Sequence, residues 1–233
     1  MKFDIYLFDL DGTLLHLGNI RHYAGKILME ALKRLRAKYP PTGDEKFKLW
    51  TSQQGYLKVL EGWGVEEPQN FWKFFDEIDF EKRKTLIKEK KVYLYQDVNY
   101  MLKKIYHHKD SKKLAIVTNT AYYICDFILN KFNIKKFFHE TFSLGYYDND
   151  QELAKPSPKG ILTILDKFKY DPNESNAILV GDSKLDIIAA KNAKIYACLI
   201  RRELNPRNMR YKEWNIQPDF VIEELNELFD LQY

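Results

Sequence analysis

Near its N-terminus the chain reads Phe3-Asp4-Ile5-Tyr6-Leu7-Phe8-Asp9-Leu10-Asp11-Gly12-Thr13. Residues 3–8 are apolar and rich in aromatic and branched side chains, which is typical of a strand buried on both faces in a parallel sheet. Asp9 and Asp11 come at the end of this run, and Gly12 allows the chain to turn with no side chain in the way. The sequence therefore predicts a buried strand that ends in two closely spaced carboxylates.

Two carboxylates at one strand end need a physical explanation. At about 4 Å and an effective dielectric constant of about 20, two like charges repel each other by roughly 4 kcal/mol. Either one of the two is protonated, or a cation lies between them. A hard cation held by oxygen ligands points to Mg²⁺. Asp-x-Asp-Gly is also common in ordinary turns, so the motif alone leaves that alternative open.

Three later apolar runs, 114–117, 177–180 and 195–200, are also predicted to be buried strands. Helical patterns separate them, with apolar residues repeating three or four positions apart over 98–107, 121–132, 158–168 and 185–193. Strand–helix alternation of this kind predicts an α/β fold with a doubly wound parallel sheet. The ligand crevice of such a sheet lies at the carboxyl ends of its strands.

The segment 17–91 has a different pattern. It contains no convincing strand and is interpreted as helices over 21–37, 44–60 and 68–90. We therefore expect an α/β core domain made of residues 1–16 and 92–233, with an all-helical domain of residues 17–91 inserted after the first strand. Lys and Arg outnumber Asp and Glu in the insertion. This excess has two interpretations: solvated helix faces, which we prefer, or a basic surface that favours an anionic substrate.

Polar residues follow other predicted strands too. Thr118 and Asn119 follow the second strand, Lys155 leads into a helix, and Asp182 and Asp186 follow the strand 177–180. A hydroxyl and an amide can hold a phosphoryl group, and an ammonium can neutralise its charge. Each motif alone also fits a turn, a surface lysine or a helix N-cap.

Together, the four motifs in this order resemble those of the haloacid dehalogenase (HAD) superfamily of phosphohydrolases. The resemblance covers nearly the whole core, and residues 17–91 stand where that family inserts its helical cap. It is closest to the phosphatase branch with a helical, C1-type cap, which includes phosphoglycolate phosphatases. It implies a Rossmann-like core with a cap that closes over the crevice and sets specificity, with hinges near 14–18 and 91–96.

The resemblance also implies roles for the acidic residues. Asp9 would be the nucleophile and form an aspartyl-phosphate. Asp11 would protonate the leaving alcohol and later deprotonate the hydrolytic water. Asp9, the backbone carbonyl of Asp11 and Asp182 would bind Mg²⁺, and Asp186 would support the metal through a water.

The remaining roles concern the phosphoryl group. Thr118 and the backbone of Asn119 would hold it, and Lys155 would pair with both the phosphate and the nucleophile. The function implied is a Mg²⁺-dependent phosphatase that hydrolyses a small phosphomonoester.

Two alternatives remain: a phosphomutase of the same superfamily, and a HAD-like protein that binds a phosphorylated ligand without turnover. Asp11 disfavours a dehalogenase, because dehalogenases of the family lack the second aspartate. Thr13 weakly disfavours a mutase, because the mutase branch tends to have valine there.

The composition limits the partners. The chain has 233 residues and a formal net charge of +4, too mild to indicate a nucleic-acid partner. No apolar stretch approaches the roughly 20 residues of a membrane span, and the two cysteines, Cys125 and Cys198, form no disulfide framework. Asp4 and Asp9 interrupt the apolar N-terminus, which disfavours a secretory signal. We expect a cytoplasmic monomer or homodimer that acts on a small phosphorylated metabolite.

Some positions depart from the family pattern. His16 stands where relatives often carry an acidic residue, and Lys194 where they usually have glycine. Four arginines follow the last long predicted strand and either line the crevice or lie on the surface: Arg201, Arg202, Arg207 and Arg210. For His16 and the arginines, we prefer the solvent-exposed interpretation.

Overall fold

The computed structural model describes residues 3–43, 45–52, 55–108, 111–145, 151–202 and 208–231. The chain divides into two compact units. The core unit comprises Met1–His16, Tyr93–Leu144 and Leu153–Tyr233, and the helical unit comprises Leu17–Val92 and Gly145–Glu152. Across the described ranges, no helix is both long enough and apolar enough to cross a membrane.

The described part of the core unit contains eight strands. They are β1 (Ile5–Phe8), β2 (Leu15–His16), β3 (Tyr93–Leu94), β4 (Lys113–Ala121), β5 (Glu140–Leu144), β6 (Ala177–Gly181), β7 (Tyr196–Ile200) and β8 (Phe220–Ile222). Six of them form one sheet in the order β5-β4-β1-β6-β7-β8, in which every neighbouring pair is parallel. β2 and β3 form a separate antiparallel pair.

The residues that the structure describes also form eight α-helices. The core unit contains α5 (Val98–Tyr106), α6 (Tyr122–Lys131), α7 (Lys159–Lys167) and α8 (Lys184–Asn192), and the helical unit contains α1 (Ile20–Arg34), α2 (Glu45–Thr51), α3 (Tyr56–Gly62) and α4 (Phe71–Lys88). Short 3₁₀ turns lie at Pro68–Asn70, Lys135–Phe137, Tyr211–Glu213 and Leu225–Phe229. The parallel sheet and its flanking helices confirm the predicted α/β fold class.

β1 lies between β4 and β6, and its four residues are buried. Phe8 pairs with Ile116 of β4 and with Val180 of β6. The three strands are therefore in register near their carboxyl ends, which brings the residues that follow them to one edge of the sheet.

One face of the sheet packs on α7 and α8. Leu7 and Leu179 come from the strands, and Ile161 and Ile187 from the two helices, and all four are at most 1% exposed. Burial of an aliphatic side chain of this size contributes about 1.5–3 kcal/mol relative to exposure. This packing fixes the helix starts relative to the strand ends, where the site is formed.

Asp4 fastens the opposite end of β1 to both neighbouring strands. Its backbone N–H donates to the carbonyl of Asn176 (2.8 Å), and its carbonyl accepts from the N–H of Lys113 (2.8 Å). The carboxylate accepts from Lys112 Nζ (2.9 Å) and from the Asn176 N–H (3.0 Å). These contacts set the register of the three strands at their amino ends.

In the helical unit, all secondary structure described is helical. Its core contains Leu28, Leu32, Leu60 and Phe71 among other buried side chains. The expected helix over 44–60 is two helices, α2 and α3, and Gly55 is the N-cap of the second. Glycine is unfavourable inside a helix, so a boundary at this position is physically reasonable.

Within the described residues, the core unit has four strands that were not predicted, β2, β3, β5 and β8, and one that is longer than predicted, β4. β5 and β8 were not predicted, because both are short edge strands with exposed or half-exposed residues and therefore lack a continuous apolar run. β4 continues beyond Val117 to Ala121, with an irregular register between these two residues. Thr118 and Asn119 therefore lie within an irregular strand end and not in a simple turn.

Lys194 adopts a left-handed conformation (φ 58°), the region that favours glycine. Its N–H donates to the carbonyl of Lys191 (3.1 Å), and the Ile195 N–H donates to Ala190 (3.1 Å), which ends α8. The lysine thus forms the turn in which relatives usually place a glycine.

Candidate active site

The first motif forms a tight turn at the end of β1. The Asp9 N–H donates to the Val180 carbonyl (2.9 Å), which continues the pairing with β6. The Leu10 carbonyl accepts from the N–H groups of the fourth and fifth residues after it, at 3.0 and 2.9 Å. Gly12 has φ 85°, a backbone conformation that favours glycine. The turn presents Asp9 and Asp11 at the carboxyl edge of the sheet.

Lys155 joins two carboxylates that are distant in sequence. Its Nζ donates to Asp9 Oδ1 (2.7 Å) and to Asp186 Oδ1 (2.5 Å). The three side chains are at most 8% exposed. Burial alone would lower the pKa of Lys155, but the charges of Asp186 and Asp9 outweigh it and raise the pKa, so the ammonium stays charged.

Asp182 completes a buried acidic cluster. Single carboxylate oxygens of Asp9, Asp182 and Asp186 lie within 4.8 Å of one another. Burial raises the pKa of Asp9 to about 7; Lys155 opposes the rise, and the charges of Asp186 and Asp182 add to it. If all groups are ionised, three carboxylates and one ammonium carry two net negative charges.

This cluster fits a hard divalent cation. Its candidate ligand atoms are all carboxylate oxygens, which Mg²⁺ prefers, and its two net negative charges would balance the charge of a dication. Asp9, Asp182 and Asp186 come together here, as the sequence predicts. The Asp11 side chain is not part of this cluster; its predicted contact with the metal is through the backbone carbonyl.

Asp186 is held by the start of α8. Its Oδ2 accepts from the N–H (3.0 Å) and the Oγ (2.6 Å) of Ser183, which forms a capping box. Oδ1 of the same carboxylate bonds to Lys155. A Cβ on Gly181 would lie 2.3 Å from Asp186 Cγ, so any side chain at position 181 would displace this carboxylate.

Asn119 uses its side chain to fix the backbone of Lys155. The Lys155 N–H donates to Asn119 Oδ1 (2.8 Å), and Asn119 Nδ2 donates to the Lys155 carbonyl (3.1 Å). The sequence interpretation considered Asn119 only as a group that holds the phosphoryl group, through its amide or its backbone, and did not foresee this contact. The side chain therefore links the end of β4 to the lysine segment.

Thr118 and Thr120 lie in the same irregular strand end. Thr118 is buried, and its Oγ1 accepts from the Thr120 N–H (3.2 Å). Thr120 Oγ1 donates to Asp11 Oδ2 (2.9 Å). Sequence reasoning missed Thr120, although its position two residues after Thr118, in the same polar run, was a usable signal.

Asn208 was also missed. It is 1% exposed, and its Nδ2 donates to the carbonyls of Asp182 (3.1 Å) and Ile200 (3.2 Å). It thereby fastens the loop after β6 to the end of β7. Nothing in the local sequence around residue 208 signals this role.

Arg202 corrects the surface interpretation of the arginine cluster. Its side chain is buried and forms a bidentate ion pair with Asp97, with Nη1 2.7 Å from Oδ2 and Nη2 2.9 Å from Oδ1. Its Nη2 also donates to the Thr13 carbonyl (3.1 Å), and its guanidinium stacks on the Tyr95 ring at 4.2 Å. Arg202 therefore supports the turn that carries Asp9 and Asp11.

The other described arginines of the cluster are more exposed to solvent than Arg202. Arg201 is half-buried and Arg210 is exposed, whereas Arg207 lies outside the described residues.

His16, expected as a solvated residue, is half-buried and stacks on Tyr93 with ring centroids 4.4 Å apart. Stacking gives this histidine a packing role in the β2–β3 pair.

Two curated relatives of the chain are named as a phosphoglycolate phosphatase and a pyrophosphatase. The chain is 29% identical to the phosphoglycolate phosphatase of Vibrio cholerae over 139 residues, which span 60% of this chain and 57% of that protein. The chain is therefore matched to little more than half the length of this relative. It is 25% identical to the pyrophosphatase PpaX of Bacillus anthracis, over 99% of this chain and 97% of that protein.

A solved structure supports the fold. CbbY from Rhodobacter sphaeroides, determined in complex with phosphate, has a TM-score of 0.69 at 18% identity, with 97% of this chain and 96% of that chain covered. The family model described as haloacid dehalogenase-like hydrolase matches residues 6–200, which include all four motifs. The chain therefore belongs to the haloacid dehalogenase-like hydrolase family.

Proposed function

We propose that this protein is a Mg²⁺-dependent phosphatase that hydrolyses small phosphomonoesters through an aspartyl-phosphate intermediate. The observation that carries the proposal is the buried arrangement of Lys155 between Asp9 and Asp186, with Asp182 in the same cluster. It combines an acidic cluster that suits a dication with an ammonium beside the expected nucleophile. The family and its relatives named as phosphatases support the same chemistry.

The metal would be held by the carboxylates of Asp9 and Asp182 and the backbone carbonyl of Asp11, and supported by Asp186. When bound, Mg²⁺ neutralises the excess negative charge and makes the phosphoryl group easier to attack. Lys155 keeps its charge within the cluster and pairs with both the nucleophile and the phosphate.

The first step is an in-line displacement at phosphorus. An oxygen of Asp9 forms a bond to phosphorus while the ester P–O bond breaks. The bonding electron pair leaves with the alcohol oxygen, which takes a proton from Asp11. Thr118 donates its hydroxyl hydrogen to a phosphoryl oxygen and holds the group in line.

The second step restores the enzyme. Water attacks the aspartyl-phosphate at phosphorus, and Asp11 accepts the proton of the water. The bond between phosphorus and the Asp9 oxygen breaks, and inorganic phosphate is released. Asp11 thus acts first as an acid and then as a base, and it ends each cycle protonated again.

The substrate is proposed to be a small phosphorylated metabolite, in keeping with the relatives named phosphoglycolate phosphatase and pyrophosphatase. Residues 1–16 and 92–233 are proposed as the catalytic domain, and residues 17–91 as a cap domain that sets specificity. We further propose a cytoplasmic protein, because both Cys125 and Cys198 are buried free thiols. A monomer or a homodimer remains the proposed state.

The proposal is tested by phosphate release from a panel of phosphomonoesters, with Mg²⁺ and with excess chelator. We expect release with Mg²⁺, loss of activity in chelator and recovery when Mg²⁺ is restored. Asp9→Asn should lower kcat by on the order of 10⁴-fold. Full activity in chelator would contradict the metal, and transfer of phosphate to a second hydroxyl without release would indicate a mutase.

A further inference from the structure

Thr120 contacts two groups of the proposed machinery at once. It lies on β4 in the irregular segment between Val117 and Ala121. Its hydroxyl donates to Asp11 Oδ2 (2.9 Å), and its backbone N–H donates to Thr118 Oγ1 (3.2 Å). The residue is half-buried, so these bonds are partly screened from solvent.

The contact to Asp11 joins neighbouring strands. Thr120 and Asp11 are 109 positions apart in sequence, but they follow paired positions of β4 and β1. The hydrogen bond is available throughout the cycle, because Oδ2 accepts it whether Asp11 carries its proton on Oδ1 or has given it to the leaving oxygen. It fixes the rotation of the Asp11 carboxyl, whose orientation decides whether a proton reaches the leaving oxygen.

We propose that Thr120 is a positioning residue for proton delivery by Asp11, an inference that rests on the proposed phosphatase function. Its hydroxyl anchors Oδ2 and thereby sets the direction of the whole carboxyl group. Its N–H occupies one lone pair of Thr118 Oγ1, which leaves the hydroxyl hydrogen of Thr118 to donate to a phosphoryl oxygen.

The proposal predicts a dependence on the leaving group. An alkoxide is a poor leaving group and needs a proton during P–O cleavage, whereas a nitrophenolate leaves readily without one. Misplacing Asp11 should therefore slow formation of the aspartyl-phosphate much more from an alkyl phosphate than from p-nitrophenyl phosphate, whereas its effect on hydrolysis of that intermediate is common to both. A general loss of packing would slow both substrates alike.

Two substitutions separate the hydroxyl from the rest of the residue. Thr120→Val keeps the branched shape and the backbone N–H but removes the hydroxyl, and Thr120→Ser keeps the hydroxyl. For Thr120→Val, we expect kcat/KM, which reports the P–O cleavage step, to fall about 10- to 100-fold more on an alkyl phosphate than on p-nitrophenyl phosphate, within the range of general acid catalysis. Thr120→Ser should stay within about threefold of the native enzyme on both.

A double-mutant cycle adds a second readout. In kcat/KM, Asp11→Asn should show a selective loss on the alkyl phosphate at least as large as that of Thr120→Val, and adding Thr120→Val to it should cause no further selective loss. Thermal unfolding of each variant shows whether the fold is intact, and Thr120→Ala replaces Thr120→Val if the latter does not fold.

The outcomes distinguish the two proposals. Equal losses of kcat/KM on both substrates, or no loss at all, in a folded Thr120→Val variant of an active enzyme would overturn the role of Thr120 alone. Absence of phosphate release by the native protein from either substrate, with Mg²⁺ present, would overturn the proposed function itself.

Discussion

Asn119 and Lys155 exchange two hydrogen bonds: the amide side chain of Asn119 binds both the N–H and the carbonyl of Lys155. The contact joins two segments 36 positions apart in sequence. It fixes the backbone from which the lysine side chain reaches Asp9 and Asp186. The ammonium is thus positioned from both ends, by the amide at its backbone and by the carboxylates at Nζ.

Asn119→Ala should therefore weaken both the fold and the activity. Loss of the two bonds leaves partly buried backbone groups unsatisfied, which should lower the free energy of unfolding by about 1–3 kcal/mol. We expect kcat/KM to fall about tenfold, because the lysine is less well positioned. Urea unfolding and steady-state kinetics measure the two effects. Asn130→Ala, at an exposed position on α6, is the control and should change neither by much. Native activity in a folded Asn119→Ala protein would show that the contact is dispensable.

Lys155→Met should make the fold depend on the metal. Without the ammonium, the carboxylates of Asp9, Asp182 and Asp186 have no cation beside them when metal is absent. Removal of one partner from a buried ion pair costs about 3–5 kcal/mol, so the free energy of unfolding should fall strongly in chelator. Mg²⁺ should stabilise this variant more than the native protein. Urea unfolding with and without Mg²⁺ measures the difference.

Lys131→Met, at an exposed position on α6, is the matched control and should respond to Mg²⁺ as the native protein does. An equal response to Mg²⁺ in the native protein and in Lys155→Met would mean that the ion does not bind beside the lysine.

Arg202 and Asp97 should be energetically coupled. Both side chains are buried, so Arg202→Met and Asp97→Asn should each destabilise the protein by about 3 kcal/mol. The double variant should lose less than the sum, with a coupling energy on the order of 2 kcal/mol. Arg202→Met should also lower kcat, because the Thr13 carbonyl, in the turn that carries Asp9 and Asp11, loses its hydrogen bond from the guanidinium. Strictly additive unfolding free energies would rule out the coupling.

Asp4 should make stability depend on pH in the acid range. Burial alone would raise the pKa of Asp4, but the hydrogen bond from Asn176 and the bond and charge of Lys112 outweigh it and lower the pKa. A carboxyl whose folded pKa is depressed contributes stability above its unfolded pKa of about 3.9 and loses it as the pH falls through the lower folded value.

The native protein should accordingly be more stable than Asp4→Asn at pH 7, and the gap should close below about pH 4. Urea unfolding across this pH range measures it. A gap that stays constant down to pH 3 would show that the charge of Asp4 does not matter.

The central strand and the polar residues at the strand ends could be predicted, because a continuous apolar run followed by Asp, Thr or Gly leaves a local signal. β5 and β8 could not, since an edge strand with one exposed face lacks that run. The helix break near Gly55 was a local signal that the sequence prediction did not use.

Contacts between distant segments account for the rest of the site. The pairing of Arg202 with Asp97 and of Asn208 with the Asp182 carbonyl depends on which segments the fold brings together. An arginine after a strand looks the same in sequence whether it is exposed or buried. Thr120 was within reach of prediction, because it stands two residues after Thr118 in the same polar run that follows the predicted strand.

The most direct test of the account is to trap the phosphoryl group on the enzyme. The protein is mixed with substrate and Mg²⁺, quenched in acid during turnover, digested and analysed by mass spectrometry. We predict that the peptide containing Asp9 gains the mass of one phosphoryl group, that the signal decays once the substrate is consumed, and that Asp9→Asn shows none. Turnover with phosphate on another residue, or with Asp9→Asn fully active, would contradict the account.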